Sequence, residues 1–75
     1  MTPFYDVYFY DTELCDYSSR IRKYNLLDAI NDIQYFMRLD DISYLYLDYY
    51  ECNASMPLVS HSWQRIDCGN WQQVE

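Results

Sequence analysis

Glycine and proline are scarce in this 75-residue sequence, which has one glycine, Gly69, and two prolines. Phosphate-binding loops need several glycines, because only glycine lets the backbone approach a phosphate closely. The sequence therefore excludes a glycine-rich phosphate cradle. The stretch around Asp40 and Asp41 also lacks the central glycine of a twelve-residue calcium loop.

Histidine and cysteine are equally sparse. His61 is the only histidine, and Cys15, Cys52 and Cys68 show no C-x-x-C spacing. Zinc sites need pairs of such ligands, and nucleophilic catalysis needs a base beside the nucleophile. We therefore predict a protein that is not an enzyme and binds no cofactor or metal. Free, buried thiols are expected in the cytosol, and a single disulfide remains the alternative.

Long apolar runs are also missing. No stretch approaches the roughly 20 residues that a membrane span requires. The first residues, Met-Thr-Pro-Phe-Tyr-Asp, have neither the basic start nor the apolar run of a secretory leader. These absences predict a cytoplasmic protein that does not bind membranes.

Basic residues are also few: the chain has 5 of them against 12 acidic residues, which gives a net charge of −7. Such a field repels nucleic acids and acidic membranes and attracts basic partners. Direct binding of DNA or RNA is therefore disfavoured.

Aromatic residues, in contrast, make up 20% of the chain and include ten tyrosines. With 51% hydrophobic residues the sequence is too apolar to be disordered, and we predict one small domain over residues 1–75. A core of this size cannot hide so many rings. Some tyrosines are therefore expected to face solvent or a partner.

Strict alternation at the centre of residues 42–51 predicts the central strand. Leu45 and Leu47 fall on one side, and on the other side lie Tyr44, Tyr46, Asp48 and Tyr50. Residues 4–10 predict a first strand, and residues 11–24 a polar connection. Residues 58–68 alternate weakly and predict a third strand. Gly69-Asn70 predicts a two-residue hairpin turn into a short strand at 71–74.

Residues 26–38 predict the single helix. Asn25 suits the N-cap position, and Asp28 lies near the positive end of the helix dipole. An apolar stripe recurs at helical spacing: Leu26, Ile30, Ile33 and Met37.

The order β-α-β-β predicts an α+β fold in which the helix covers one face of a three- to four-stranded sheet. The sheet side chains expected beneath the helix are Val7, Phe9, Leu45, Leu47 and Ile66. If the helix joins two neighbouring strands, those strands should be parallel with a right-handed crossover.

The opposite sheet face should then present tyrosines and carboxylates to a partner, because exposed aromatic patches usually mark interfaces. The predicted members are Asp6, Tyr8, Tyr10, Tyr44, Tyr46, Asp48 and Tyr50, with Trp63 as a further candidate. The alternative is that these tyrosines pair across strands and only stabilise the sheet.

Further carboxylates are strung along the chain, and such groups can take the places of nucleic-acid phosphates and bind a partner's arginines and lysines. Asp11, Glu13 and Asp16 follow the first strand. The residues assigned to partner binding are Asp28, Asp32, Asp40 and Asp41. The alternative is a solvated acidic surface that keeps the protein soluble.

In length, acidity, tyrosine content and element order the chain resembles the small phage-encoded inhibitors of bacterial defence, including anti-CRISPR and DNA-mimic proteins. The resemblance involves no motif and implies no site residues. It implies a stoichiometric inhibitor, in the host bacterial cytoplasm, that blocks the nucleic-acid access of a basic partner such as a CRISPR effector. The alternative is a structural or regulatory module that homodimerises or docks through its tyrosine face.

Overall fold

A computed structural model describes residues 2–67 and 69–75. The fold is α+β, as predicted, but the described chain has six strands rather than three or four. In chain order the elements are β1 (Phe4–Asp11), β2 (Asp16–Tyr17), β3 (Ile21–Lys23), α1 (Leu26–Phe36), β4 (Ile42–Tyr50), β5 (Val59–Asp67) and β6 (Asn70–Gln73). Cys68, predicted as the end of the third strand and as a free thiol, lies outside the described residues.

The strands form one sheet in the order β2-β1-β4-β5-β6, and β3 pairs with β1 beyond β2 along the same edge. All paired strands are antiparallel, including β1 and β4. The prediction that the first strand and the strand after the helix are parallel is therefore wrong. The physical reason is that the chain first returns along β1 as β2 and β3. The helix thus connects β3 to β4, two parallel strands that flank β1.

The connection predicted over residues 11–24 thus contains two short strands. Its turn is held by Asp11, whose Oδ1 accepts hydrogen bonds from the Glu13 and Leu14 N–H groups at 2.9 and 3.1 Å. Cys15 adopts the left-handed backbone region, with φ of 53°. Two-residue and three-residue strands carry too few side chains to show alternation, so their pattern could not be recognised.

Helix α1 begins as predicted at Leu26, where the Asn25 side chain accepts a hydrogen bond from Leu27 N at 2.8 Å. It ends at Phe36, two residues before the predicted limit. The last turn contains no basic residue, and its carbonyls at Ile33, Tyr35 and Phe36 accept hydrogen bonds from the N–H groups of Met37, Arg38 and Leu39. Side chains of the β5–β6 hairpin then hold the segment after the helix. Arg65 donates to the Leu39 carbonyl, and Trp71 Nε1 donates to the Met37 carbonyl at 3.2 Å.

The core lies between α1 and the sheet, and its buried members are Val7, Ala29, Ile33, Ile42, Leu45 and Leu47. Phe9 and Met37 pack against it, partly buried. The prediction is wrong for Ile66, which is 61% exposed. The predicted burial of Leu26 and Ile30 is also wrong, because both side chains are exposed. Helix α1 packs on β1, β3 and β4 and does not cover β5.

The β5–β6 hairpin differs from the prediction in two further details. Trp63 pairs with Leu45, so its side chain lies on the helix face and not among the tyrosines. Gly69 adopts φ of +85°, but Asn70 already belongs to β6 and pairs with Asp67. Asn70 is therefore a strand residue and not the second residue of the predicted turn.

Candidate partner-binding surfaces

The uncovered face of the sheet, here called the tyrosine face, is built from cross-strand rows of β1 and β4. The register places these side chains directly opposite one another: Phe4 with Tyr50, Asp6 with Asp48, Tyr8 with Tyr46, and Tyr10 with Tyr44. The structure thus brings together the five predicted tyrosines and two of the predicted carboxylates. Strict alternation in both strands is what puts them on one side.

The rings of this face cover one another. Phe4 stacks on Tyr50 with centroids 4.9 Å apart, and Tyr8 stacks on Tyr46 at 4.8 Å. Tyr17, from β2, lies across this surface with its ring 5.9 Å from that of Tyr46. The tyrosines of β1 and β4 are consequently half-buried, so the face is less exposed than the sequence predicts.

The two carboxylates of the tyrosine face are buried, with Asp6 5% and Asp48 6% exposed. Arg20 and Arg22, from the β3 segment, cover them. The Arg20 Nη1 atom lies 3.3 Å from Asp48 Oδ2 and 3.9 Å from Asp6 Oδ2, and Arg22 Nε lies 3.6 Å from Asp6 Oδ1. Asp6 and Asp48 were predicted to be exposed and to bind a partner. In the structure they are neutralised internally, because two like charges opposite each other need compensation.

The same two arginines contact aromatic rings. The Arg20 guanidinium lies 4.4 Å from the centroid of Tyr8, and that of Arg22 lies 3.7 Å from the centroid of Phe4. Each cation therefore bridges a carboxylate and a ring. This role was not predicted, although three basic residues within positions 20–23 of so acidic a chain could have indicated it.

Burial and the adjacent Asp48 charge together raise the pKa of the Tyr8 phenol to about 12. Burial, together with a hydrogen bond to Tyr17, likewise raises the pKa of Tyr46 to about 12. Burial lowers the pKa of Arg20, but Tyr8, Tyr50 and Asp48 raise it, and the net result is a pKa above the ordinary value. At neutral pH the phenols are therefore neutral and the arginine is charged.

A second surface lies where the β1–β2 turn meets the start of β4. Thr12 N donates to the Asp41 carbonyl at 2.9 Å, and the hydroxyls of Thr12 and Ser43 are hydrogen-bonded. This contact brings together two acidic segments that are far apart in sequence, and we call their carboxylates the acidic end: Asp11, Glu13, Asp16, Asp40 and Asp41. None of these five forms an ion pair in the described part of the chain.

Asp40 and Asp41 were predicted as site residues, whereas Asp11, Glu13 and Asp16 were noted only as acidic. Nothing local in the sequence shows that the turn after β1 meets the segment after the helix. The side chains at the acidic end also include apolar groups. A cleft of about 410 Å³ is lined by Phe9, Asp11, Leu14, Asp16, Tyr17 and Ser18.

Asp28 and Asp32 lie apart from the acidic end. Asp28 is exposed in the first turn of α1, whereas Asp40 and Asp41 follow the last turn of this 11-residue helix, which is about 16 Å long. Asp32 forms an ion pair with Lys23, whose Nζ lies 3.3 Å from Asp32 Oδ2. The structure therefore does not bring these two carboxylates together with the others, and it gives Asp32 a structural partner.

Two cysteines of the described chain, Cys15 and Cys52, are exposed, which corrects the prediction of buried thiols. Over residues 2–67 and 69–75, no three histidine, cysteine or acidic side chains converge as a metal site would require. The same residues contain no helix with the length and apolarity to cross a bilayer.

Comparison with known proteins found no matching family model, no matching curated protein and no matching solved structure.

Proposed function

We propose that this chain is a non-enzymatic protein inhibitor that binds a basic, nucleic-acid-binding partner and blocks its access to nucleic acid. The partner we favour is a bacterial CRISPR effector. The observation that supports the proposal is the acidic end, where two acidic segments meet and none of the five carboxylates forms an ion pair among the described residues. The carboxylates of the tyrosine face, Asp6 and Asp48, already have Arg20 and Arg22 beside them and so contribute little to attraction.

The acidic end is suited to replace phosphates. Carboxylates accept charge-assisted hydrogen bonds from arginine and lysine, as phosphate oxygens do. The net charge of −7 would accelerate encounter with a positively charged channel. Short-range contact would come from Leu14, which is 76% exposed, and from Tyr17, which is 58% exposed beside the cleft.

The test is a transformation-interference assay in bacteria with active CRISPR systems, followed by binding to the purified, guide-loaded effector. We compare the wild type with the triple variant Glu13→Gln, Asp40→Asn and Asp41→Asn. The control variant removes the same charge elsewhere: Asp28→Asn, Glu51→Gln and Glu75→Gln. We expect the first variant to lose inhibition and slow association at least about tenfold, and the control to change association less than about threefold.

Equal losses in both triple variants would show that only the net charge matters. Inhibition of no effector, or an association rate that is the same at low and high salt, would refute the proposal, because charge-steered encounter weakens with ionic strength.

A second candidate function is an interaction module that docks through the tyrosine face. It is supported by the half-buried rings of Tyr44, Tyr46 and Tyr50, which no helix covers. Tyr44→Ala and Tyr46→Ala would then abolish binding of the partner, whereas the acidic-end variant would retain it.

A further inference from the structure

The two edges of the sheet are protected very differently. The edge at β1 is closed by β2 and β3, which are short and carry Asp16, Arg22 and Lys23. Short strands and charged side chains are usual protections against edge-to-edge pairing. At the other edge, β6 consists of Asn70, Trp71, Gln72 and Gln73, without a charge or a proline. Within the described residues no strand lies outside β6.

The hydrogen bonding of β6 shows which groups are available. Val74 N donates inward to the Ser62 carbonyl at 2.8 Å. Inward and outward groups alternate in an antiparallel ladder, so the backbone of Gln72 also points toward β5. The N–H and C=O groups of Trp71 and Gln73 consequently point outward, away from the sheet.

We propose that β6 pairs with β6 of a second copy of this chain, antiparallel and about a two-fold axis at Gln72. In this register Trp71 of each protomer lies opposite Gln73 of the other. Each such pair exchanges two backbone hydrogen bonds, so the dimer gains four and joins two sheets into one. The two copies of Gln72 meet at the axis as a pair without backbone hydrogen bonds.

The charged residues near β6 favour this register, and they favour a second copy of this chain as the partner. Opposite Gly69 the register places Glu75 of the second copy, beside a cleft of about 580 Å³ that is lined by two cations, Arg38 and Arg65, and by one carboxylate, Asp40. These are the two basic residues that form no ion pair in the described chain. A shift of two residues in one direction would oppose Asp67 and Glu75, which repel each other. The opposite shift would set Glu75 against Trp71.

The neutral edge also keeps most of the acidic end away from the second copy, because the β1–β2 turn with Asp11, Glu13 and Asp16 lies at the opposite edge of the sheet. The contact is small, so we expect a weak dimer, with a dissociation constant of about 0.1 mM. It uses neither the tyrosine face nor the carboxylates of the β1–β2 turn, so its failure would leave the proposed function standing.

Sedimentation equilibrium of the full chain from about 10 µM to about 1 mM tests the proposal. Gln73→Pro removes an outward N–H and leaves the inward ladder intact, as proline at an edge allows. Gln73→Thr is the matched control, because it loses the same side-chain contacts but keeps the N–H. We expect the dissociation constant to rise at least about tenfold in Gln73→Pro and less than about threefold in Gln73→Thr.

A cross-link tests the register even if Gln73→Pro fails to fold. In a chain with Cys15, Cys52 and Cys68 changed to serine, Gln72→Cys should form an intermolecular disulfide, because opposed residues of such a pair are about 4.5 Å apart. Gln64→Cys, on the adjacent strand, should not. A wild type that stays monomeric at about 1 mM, or a dimer dissociated by Tyr44→Ala but not by Gln73→Pro, would overturn the proposal.

Discussion

The two faces of this sheet are stabilised by different physical means. On the helix face, Val7, Leu45 and Leu47 are removed from water by the overlying helix. On the tyrosine face the described residues form no second layer, and stacked rings and the arginines from the β3 segment cover the sheet instead. A domain with one helix can thus reduce the exposure of both faces. The second face requires cations beside its buried carboxylates, which the first does not.

The largest expected effect is the loss of stability when a buried side chain of the helix face is truncated. Leu45 is fully buried, so Leu45→Ala should lower the free energy of unfolding by about 2–5 kcal/mol. Ile66→Ala is the control on the uncovered side and should cost less than about 1 kcal/mol. Urea unfolding followed by circular dichroism measures both. Equal losses would mean that the helix-covered core is not the main source of stability.

The next effect concerns charge compensation on the tyrosine face. Arg20→Ala leaves Asp6 and Asp48 opposite each other with only Arg22 nearby, and should cost about 1–3 kcal/mol of unfolding free energy. Adding Asp48→Asn should recover part of that loss, because one buried charge is then removed. The double-mutant comparison uses the same urea titration. Additive losses would show that Arg20 and Asp48 do not interact.

The smallest effect is confined to alkaline pH. The folded pKa values of Tyr8 and Tyr46, about 12, lie above the ordinary value of 10.0. The folded state therefore holds these protons more tightly, so this stability is fully present below pH 10 and is lost as the pH rises toward 12. Tyr8→Phe and Tyr46→Phe should each weaken the decline in stability over that range. Thermal unfolding at pH 8 and pH 11 measures the loss of stability in the wild type and in each variant. The same loss in a variant as in the wild type would contradict the burial assigned to that tyrosine.

Several features of the fold follow from local patterns. The alternation of β4 correctly separates Leu45 and Leu47 from the tyrosines, because strand geometry assigns odd and even residues to opposite faces. Asn25 correctly marks the helix start, because its side chain caps the first turn. Both results depend on residues within a few positions of one another.

The failures all involve contacts between distant segments. The short strands β2 and β3 take their structure from pairing with β1, and that extra pass of the chain makes β1 and β4 antiparallel. Trp63 and Ile66 were assigned to the wrong faces because β5 alternates weakly and contains a register shift near its end. Of the predicted site, the tyrosines were correctly grouped, while the shielding of Asp6 by Arg22 was not foreseen.

Composition and periodicity alone determined that this protein has one helix, alternating strands, a strongly acidic balance and more tyrosine than its core can hold. Only the tertiary structure decided which acids are available to a partner. Arg20 and Arg22 reach Asp6 and Asp48 through the pairing of β3 with β1, whereas the segment of Asp40 and Asp41 meets the β1–β2 turn and neither carboxylate forms an ion pair among the described residues. How strongly a carboxylate attracts a partner depends on its burial and on the charges near it in space. Neither can be read from its position along the chain.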